Sequence, residues 1–171
     1  AGATLAVLNA IGMIENGIIN KALVIGADIS SYDLNSPGEP TQGAGAIALI
    51  LSKNPRIASF SRNFGKVSGN VNDFFRNKNA KNAKVFGKYS VESYLNFQMS
   101  AFDDLTKRIG DFTADYYVFH APFSKLPVKF LKKLLIERSE HFVEYALNWD
   151  KKIPRSRLTS KIPSIDRKSV V

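Results

Sequence analysis

Hydrophobic and polar positions fall along the chain in blocks that predict helices and strands in turn. From 3 to about 16, Leu5, Leu8, Ile11 and the pair Met13/Ile14 recur at helical spacing, with small Ala and Gly between them. The small residues predict close packing, and Gly17 fits the position just past a helix end. Ala22-Leu23-Val24-Ile25-Gly26-Ala27 is almost wholly apolar and predicts a strand over 21–29 in a sheet covered on both faces. A loop rich in Ser, Pro and Gly follows over 30–43. The run from Gly43 to Leu51 opens with alternating Gly and Ala and predicts a second buried strand. After the Asn54-Pro55 turn, 56–60 reads as a further strand. Residues 61–87 are polar, rich in Asn and Lys with interspersed Phe, and 77–84 reads as an exposed loop.

The helical period returns over 90–109, where Val91, Tyr94/Leu95, Met99, Phe102 and Leu105/Ile109 share one face. Ser90 is placed to cap this helix and Gly110 to stop it. Asp115-Tyr116-Tyr117-Val118-Phe119 then reads as a buried strand. Pro122 ends its pairing, and Ser124 can cap a helix whose apolar face is Leu126, Phe130, Leu131, Leu134 and Leu135. Pro127 is tolerated in the first turn, and Lys125, Lys129 and Lys133 line another face at intervals of four.

Composition narrows the class. The chain has 171 residues, 44% of them hydrophobic, which is enough for one folded domain with a sizeable core. No apolar run reaches membrane-spanning length. With no cysteine, disulfides and a Cys nucleophile within these residues are excluded. The net charge of +9 suits anionic partners, nucleic acid among them. Basic residues interleaved with Phe are a composition that single-stranded nucleic acid can use, but no RNP-like pattern is present. Zinc spacings, a P-loop and a dinucleotide fingerprint are absent too.

Candidate chemistry gathers at the end of the predicted strand before Pro122. His120 lies where α/β sheets place their ligand sites, and a histidine there can serve as acid, base or hydrogen-bond donor, or simply be satisfied by its neighbours. Asp28, at the end of the first strand, is as well explained by the turn it opens as by a site. The lysine stripe after His120 could be a solvated helix face, and Ser90 could be only a cap. His141 lies in a polar stretch and reads as solvated.

Three blocks, in order, carry a likeness beyond these patterns. Phe119-His120-Ala121-Pro122-Phe123-Ser124-Lys125 resembles the His motif of the 3-hydroxy-3-methylglutaryl-CoA (HMG-CoA) synthases, a branch of the thiolase-fold superfamily. Gly38-Glu39-Pro40-Thr41-Gln42-Gly43-Ala44-Gly45-Ala46 and Gly87-Lys88-Tyr89-Ser90-Val91-Glu92-Ser93-Tyr94-Leu95 resemble the same family. The likeness covers 1 to about 165. It implies an α/β thiolase-like fold seen in part, layered helices and mixed sheet, with 1–165 joining the end of one half to the start of the second. The tail 166–171 matches the in-frame translation of a common sequencing-adapter read and is set aside as non-native.

By that resemblance His120 hydrogen-bonds the substrate ketone and supports the developing alkoxide, Thr41 lines the acyl-CoA site and Ser90 contacts substrate. Lys125 and Lys129 match two CoA-contacting lysines. The family acts through a cysteine just before a helix like the one beginning Ala1-Gly2-Ala3-Thr4, and a Glu further upstream is its base. The chain is therefore expected to be a fragment that starts after its own nucleophile, inactive alone and aggregation-prone. The resemblance implies no metal or redox cofactor, acetyl-CoA and acetoacetyl-CoA as substrates, no nucleic-acid or membrane partner, and a cytoplasmic homodimer. A polyketide β-branching relative acting on acyl-carrier-protein thioesters, or a non-catalytic thiolase-fold protein, fits the same motifs. Ser156-Arg157-Leu158-Thr159-Ser160-Lys161 resembles the start of the next family block, but Ser160-Lys161 stands where the family has Gly-Asn.

Overall fold

The computed structural model describes residues 2–112, 117–122 and 125–138. The chain divides into two compact units. The first holds helix α1 (Gly2–Glu15) and strands β1 (Lys21–Ser30) and β2 (Gly43–Ser52). The second holds a single 3₁₀ turn (Glu39–Thr41), the short strands β3 (Phe74–Phe75) and β4 (Lys84–Val85), and helices α2 (Gly87–Ile109) and α3 (Leu126–Glu137).

In the first unit α1 ends as the sequence predicts. Gly17 takes φ of 71°, its N–H donates to the Ile14 carbonyl at 3.1 Å, and the Ile18 N–H donates to Met13 at 2.9 Å. These are the two bonds of a Schellman motif, and glycine adopts the left-handed conformation it requires without a Cβ clash. β1 and β2 pair antiparallel over their full length, from Lys21 opposite Ser52 to Ser30 opposite Gly43. Ala10 and Ile14 of α1 pack on Val24 and Leu51, with Val7, Ile11, Ile19 and Ala22 around them. The helix lies so close that a Cβ on Gly26 would sit 2.7 Å from the Ala3 Cβ.

Cover on both faces of this sheet is not observed. Because side chains alternate across a strand, Leu23, Ile25 and Ile29 of β1 face away from α1. They are 63%, 63% and 78% exposed, and Ile50 of β2 is 76% exposed. β2 is accordingly not a buried strand: only Leu51 is buried. The apolar sequence of both strands is that of a two-sided sheet, but among the described residues helix covers one side only. The strand expected at 56–60 is also absent; Ile57 is fully exposed, and nothing described pairs with this segment. Glu15 and Arg62 form an exposed ion pair across the unit.

In the second unit, β3 and β4 make a two-stranded antiparallel hairpin, with Phe74 opposite Val85 and Phe75 opposite Lys84. The exposed loop expected at 77–84 is therefore its turn, and Lys84 belongs to the strand. The Phe75 and Phe86 rings stack at 5.2 Å, and the Phe86 N–H donates to the Asp73 carbonyl at 2.8 Å. These contacts set the entry to α2, which begins at Gly87 rather than Ser90. Phe86 occupies the cap position with no side-chain cap bond, so the cap role expected for Ser90 is overturned. The other end matches expectation: Gly110 has φ of 76° and donates to the Thr106 carbonyl at 2.8 Å.

The core of this unit is Met99 of α2 against Phe130, Leu131 and Leu134 of α3. Tyr94, Leu95, Phe102, Tyr117 and Phe119 pack around it. Two polar links hold the layers: Arg138 makes paired bonds to Asp103, Nε to Oδ1 at 3.0 Å and the guanidinium amine to Oδ2 at 2.7 Å. Asp104 accepts from Arg108 Nε at 3.0 Å and from the Lys66 N–H at 2.9 Å. Those bonds hold the Asp104 carboxyl below its ordinary pKa. The expected strand before His120 is not formed over its described part: Tyr117 to His120 join no ladder, and Val118 is 76% exposed. The ladders among the described residues are antiparallel throughout. Ala1, Asp115, Tyr116, Ser124, His141, the 156–164 block with Lys161, and the tail from 166 lie outside the described residues.

Candidate functional site

His120 sits where an irregular segment, joined to no ladder, meets α2. Phe119 anchors that segment inward, its ring edge-on to Phe130 at 5.6 Å and parallel to Tyr117 at 6.1 Å. On the other side the Tyr94 hydroxyl donates to the His120 carbonyl at 2.8 Å, and the two rings lie 6.5 Å apart, tilted by 44°. His120 retains exposed surface, yet the protein around the imidazole removes enough water to disfavour its charged form, lowering its pKa. The ring is therefore neutral at pH 7, with one N–H to donate and one nitrogen to accept. Burial raises the Tyr94 pKa, opposed by a hydrogen bond with Gln98, so its hydroxyl keeps its proton and serves as a donor.

Ser90 lies inside the first turn of α2, its N–H bonded to the Phe86 carbonyl at 2.8 Å. It is one helical turn before Tyr94, hence on the same face. The structure thus brings Ser90 to the side of α2 that meets the His120 segment. Thr41 ends the 3₁₀ turn, and its hydroxyl donates to the Gly38 carbonyl at 2.7 Å. Its described bonds are local and do not tie it to His120.

Lys125 occupies the cap position of α3, and its carbonyl accepts the Lys129 N–H at 3.0 Å. Both side chains are exposed on the opening turn, where α3 carries no acidic residue. Two cations at the positive end of a helix dipole oppose local stability by a few tenths of a kcal/mol each, and an anion placed there would relieve the repulsion. Lys133 differs, because it is ion-paired with Glu137 one turn on. Asp28 lies within β1 opposite Gly45, and its carboxylate accepts the N–H of its neighbour Ile29 at 2.9 Å, so it opens no turn and its bond is local to the strand.

A cavity of about 500 Å³ opens beside the start of α2, lined by Val85, Phe86, Gly87, Lys88, Tyr89 and Glu92. It includes none of the five candidate residues, so contacts rather than concavity define the site. Among the described residues no three His, Cys, Asp or Glu side chains gather as a metal site. No helix there is long and apolar enough to cross a membrane. The residue that the sequence pattern hid is Tyr94, which reads as one more apolar position on α2. Its only signal is chemical: a tyrosine on a buried stripe carries a hydroxyl that needs a partner.

No protein-family model matches the chain. The hydroxymethylglutaryl-CoA synthase of Enterococcus faecalis is 37% identical over 122 residues, 70% of this chain and 32% of that protein. A solved HMG-CoA synthase complexed with CoA superposes with a TM-score of 0.70 at 28% identity, covering 94% of this chain and 45% of its own. The HMG synthase of the curacin biosynthetic pathway, solved with an acetyl donor-ACP, gives 0.71 at 28% identity, covering 79% and 35%. The chain thus spans about a third of the length of the curated relative. Motif order, backbone course and identity agree: over the part it spans, the chain belongs to the hydroxymethylglutaryl-CoA synthase family and has its thiolase-like fold.

Proposed function

We propose that the chain is the His-motif portion of an HMG-CoA synthase, which condenses an acetyl thioester with an acetoacetyl thioester through an acetyl-cysteine intermediate. The observation that carries this reading is the bond that fixes the His120 carbonyl to Tyr94 of α2, on the face that presents Ser90, with desolvation favouring the neutral imidazole. A neutral imidazole aimed at a ketone oxygen stabilises the alkoxide that forms when a carbanion adds to the carbonyl carbon. A preorganised donor of this kind contributes about 3–4 kcal/mol to the transition state. These residues contain no cysteine, so the acyl-accepting thiol comes from outside them, and by the family likeness so does the base that forms the carbanion. Lys125 and Lys129 complement the phosphates of a CoA thioester, because they place two cations at the end of a helix dipole that already favours anions. Thr41 and Ser90 complete the proposed acyl-binding side. The condensation itself calls for no metal or redox step, and the working enzyme is read as a cytoplasmic homodimer.

The comparable likeness to the curacin enzyme supports a second reading, in which the same chemistry runs on carrier-protein thioesters. Formation of the 3-hydroxy-3-methylglutaryl thioester by the full-length enzyme, from an acetyl thioester donor with either CoA-bound or carrier-bound acetoacetyl acceptor, separates the two. A clear preference for the CoA thioester supports the first reading. Condensation with neither substrate removes both and leaves a non-catalytic thiolase-fold protein.

A further inference from the structure

We propose that Tyr94 is a positioning residue for His120: its hydroxyl pins the His120 carbonyl to α2 and so sets the line along which the imidazole meets the substrate. The proposal rests on the reading of His120 as the donor to the substrate ketone. The His120 segment has no ladder to fix it among the described residues, so its course depends on side-chain anchors. Phe119 fixes the inward side against Phe130, but an aromatic contact tolerates sliding and rotation. The bond from Tyr94 to the His120 carbonyl, at 2.8 Å, is directional and acts on the backbone of the residue whose ring must be aimed.

Tyr94 is itself held from both sides. Its ring packs against the Met99–Phe130–Leu131–Leu134 cluster, and it sits one turn from Ser90 on a 23-residue helix. The hydroxyl is thus delivered by the rigid element that also carries the proposed substrate-contacting serine, which fixes His120 and Ser90 in one frame. Phenylalanine would fill the same space and satisfy the core equally, so packing alone does not account for the hydroxyl.

The test is Tyr94→Phe in the full-length enzyme that carries this segment, with His120→Ala beside it. Tyr94→Phe is expected to lower kcat about 10-fold with KM unchanged, short of the roughly 100-fold that a 1 Å misplacement can cost. The thermal midpoint should stay close to the parent, because the ring remains. In ¹³C-labelled protein the His120 imidazole resonance should move, and its titration midpoint should rise towards about 6.5 as water reaches the loosened ring. His120→Ala is expected to lose most of the activity. If His120→Ala is inactive while Tyr94→Phe keeps full kcat and an unshifted imidazole signal, the positioning role is wrong and the site reading survives. If His120→Ala retains full condensation, the site reading falls and takes this proposal with it. A kcat loss matched by an equal drop in folded protein, with the imidazole unmoved, also overturns it in favour of a structural tyrosine.

Discussion

Leu134→Ala tests whether the α2–α3 core, rather than the polar links at its edge, holds the His120 segment in place. Leu134 is 2% exposed and packs with Met99, Phe130 and Leu131, the cluster on which Tyr94, Tyr117 and Phe119 also rest. Truncation removes three carbons, about 2.4 kcal/mol of transfer free energy at roughly 0.8 per methylene. The gap left between two helices adds a cavity cost, bringing the loss to about 3 kcal/mol within the usual range for buried leucines. That is roughly a 150-fold fall in the folded-to-unfolded ratio for this unit. The Arg138–Asp103 pair sets the comparison. It is bidentate, but its side chains are 31% and 44% exposed, so screening limits it to about 0.5–1 kcal/mol. Urea denaturation followed by the near-ultraviolet dichroism of the tyrosines reads the second unit, and at a slope of about 2 kcal/mol per molar the midpoint should drop by roughly 1.5 M. Leu134→Met, which conserves volume, should stay within about 1.5 kcal/mol of the parent. A loss under about 1 kcal/mol for Leu134→Ala, or a larger loss for Arg138→Ala, would show that the helices are not held by this apolar seam.

Four further outcomes are expected. The His120 imidazole should titrate below the ordinary 6.5, followed by its NMR chemical shift; because the unfolded chain binds that proton first, its contribution to stability is full above about pH 6.5 and is lost as pH falls through the folded pKa. A midpoint above 6.5 would contradict the desolvation on which the neutral donor depends. Lys125→Ala in the full-length enzyme should raise KM for the CoA thioester with little change in kcat, since a contact to the CoA moiety is the same in ground and transition states; a pure kcat loss would put Lys125 in the chemistry. The chain alone should self-associate through the bare side of β1 and β2, and replacing Ile25 and Ile50 with Lys should raise its soluble concentration without loss of helical dichroism; unchanged solubility would mean that this face is not the sticky one. Gly26→Ala should destabilise the first unit, because the added methyl meets Ala3 at 2.7 Å inside a sheet-on-helix contact, and an unchanged thermal midpoint would show that α1 can shift away freely.

Periodicity made the helices legible because their stripes answer to a partner that is present. α1 and α2 end at the glycines expected of them, and Phe130, Leu131 and Leu134 face inward as their spacing requires. The misplaced start of α2 has a local cause. Ser90 is a good cap by type, but nothing in Gly87-Lys88-Tyr89 interrupts a helix, and the Phe75–Phe86 stack with the Asp73 bond fixes the chain's entry three residues sooner. Strands fared differently, because a strand is defined by a neighbour. β1 and β2 found each other, whereas 56–60 and the segment ending at His120 carry strand-like residues and no described ladder. Without a partner strand their apolar side chains Ile57 and Val118 stand in solvent.

The site shows the same asymmetry between chemistry and placement. Residue type and motif order singled out His120, Ser90, Thr41, Lys125 and Lys129, but no period in the sequence says that a hydroxyl from α2 reaches the His120 carbonyl. That bond joins positions 26 residues apart and depends on how α2 meets an irregular segment. Its consequence is directional. A histidine on a regular strand is aimed by its ladder, and its own side chain could be exchanged with little effect on the backbone. Here the backbone of His120 is aimed by Tyr94, Tyr94 by the Met99–Leu134 core, and that core by α3, whose opening turn carries Lys125 and Lys129. The proposed ketone-facing donor and the proposed anion-facing cations therefore rest on one packed seam. A change that loosens the seam between α2 and α3 should disturb both together, while a change at His120 or at the lysines should disturb only its own proposed function.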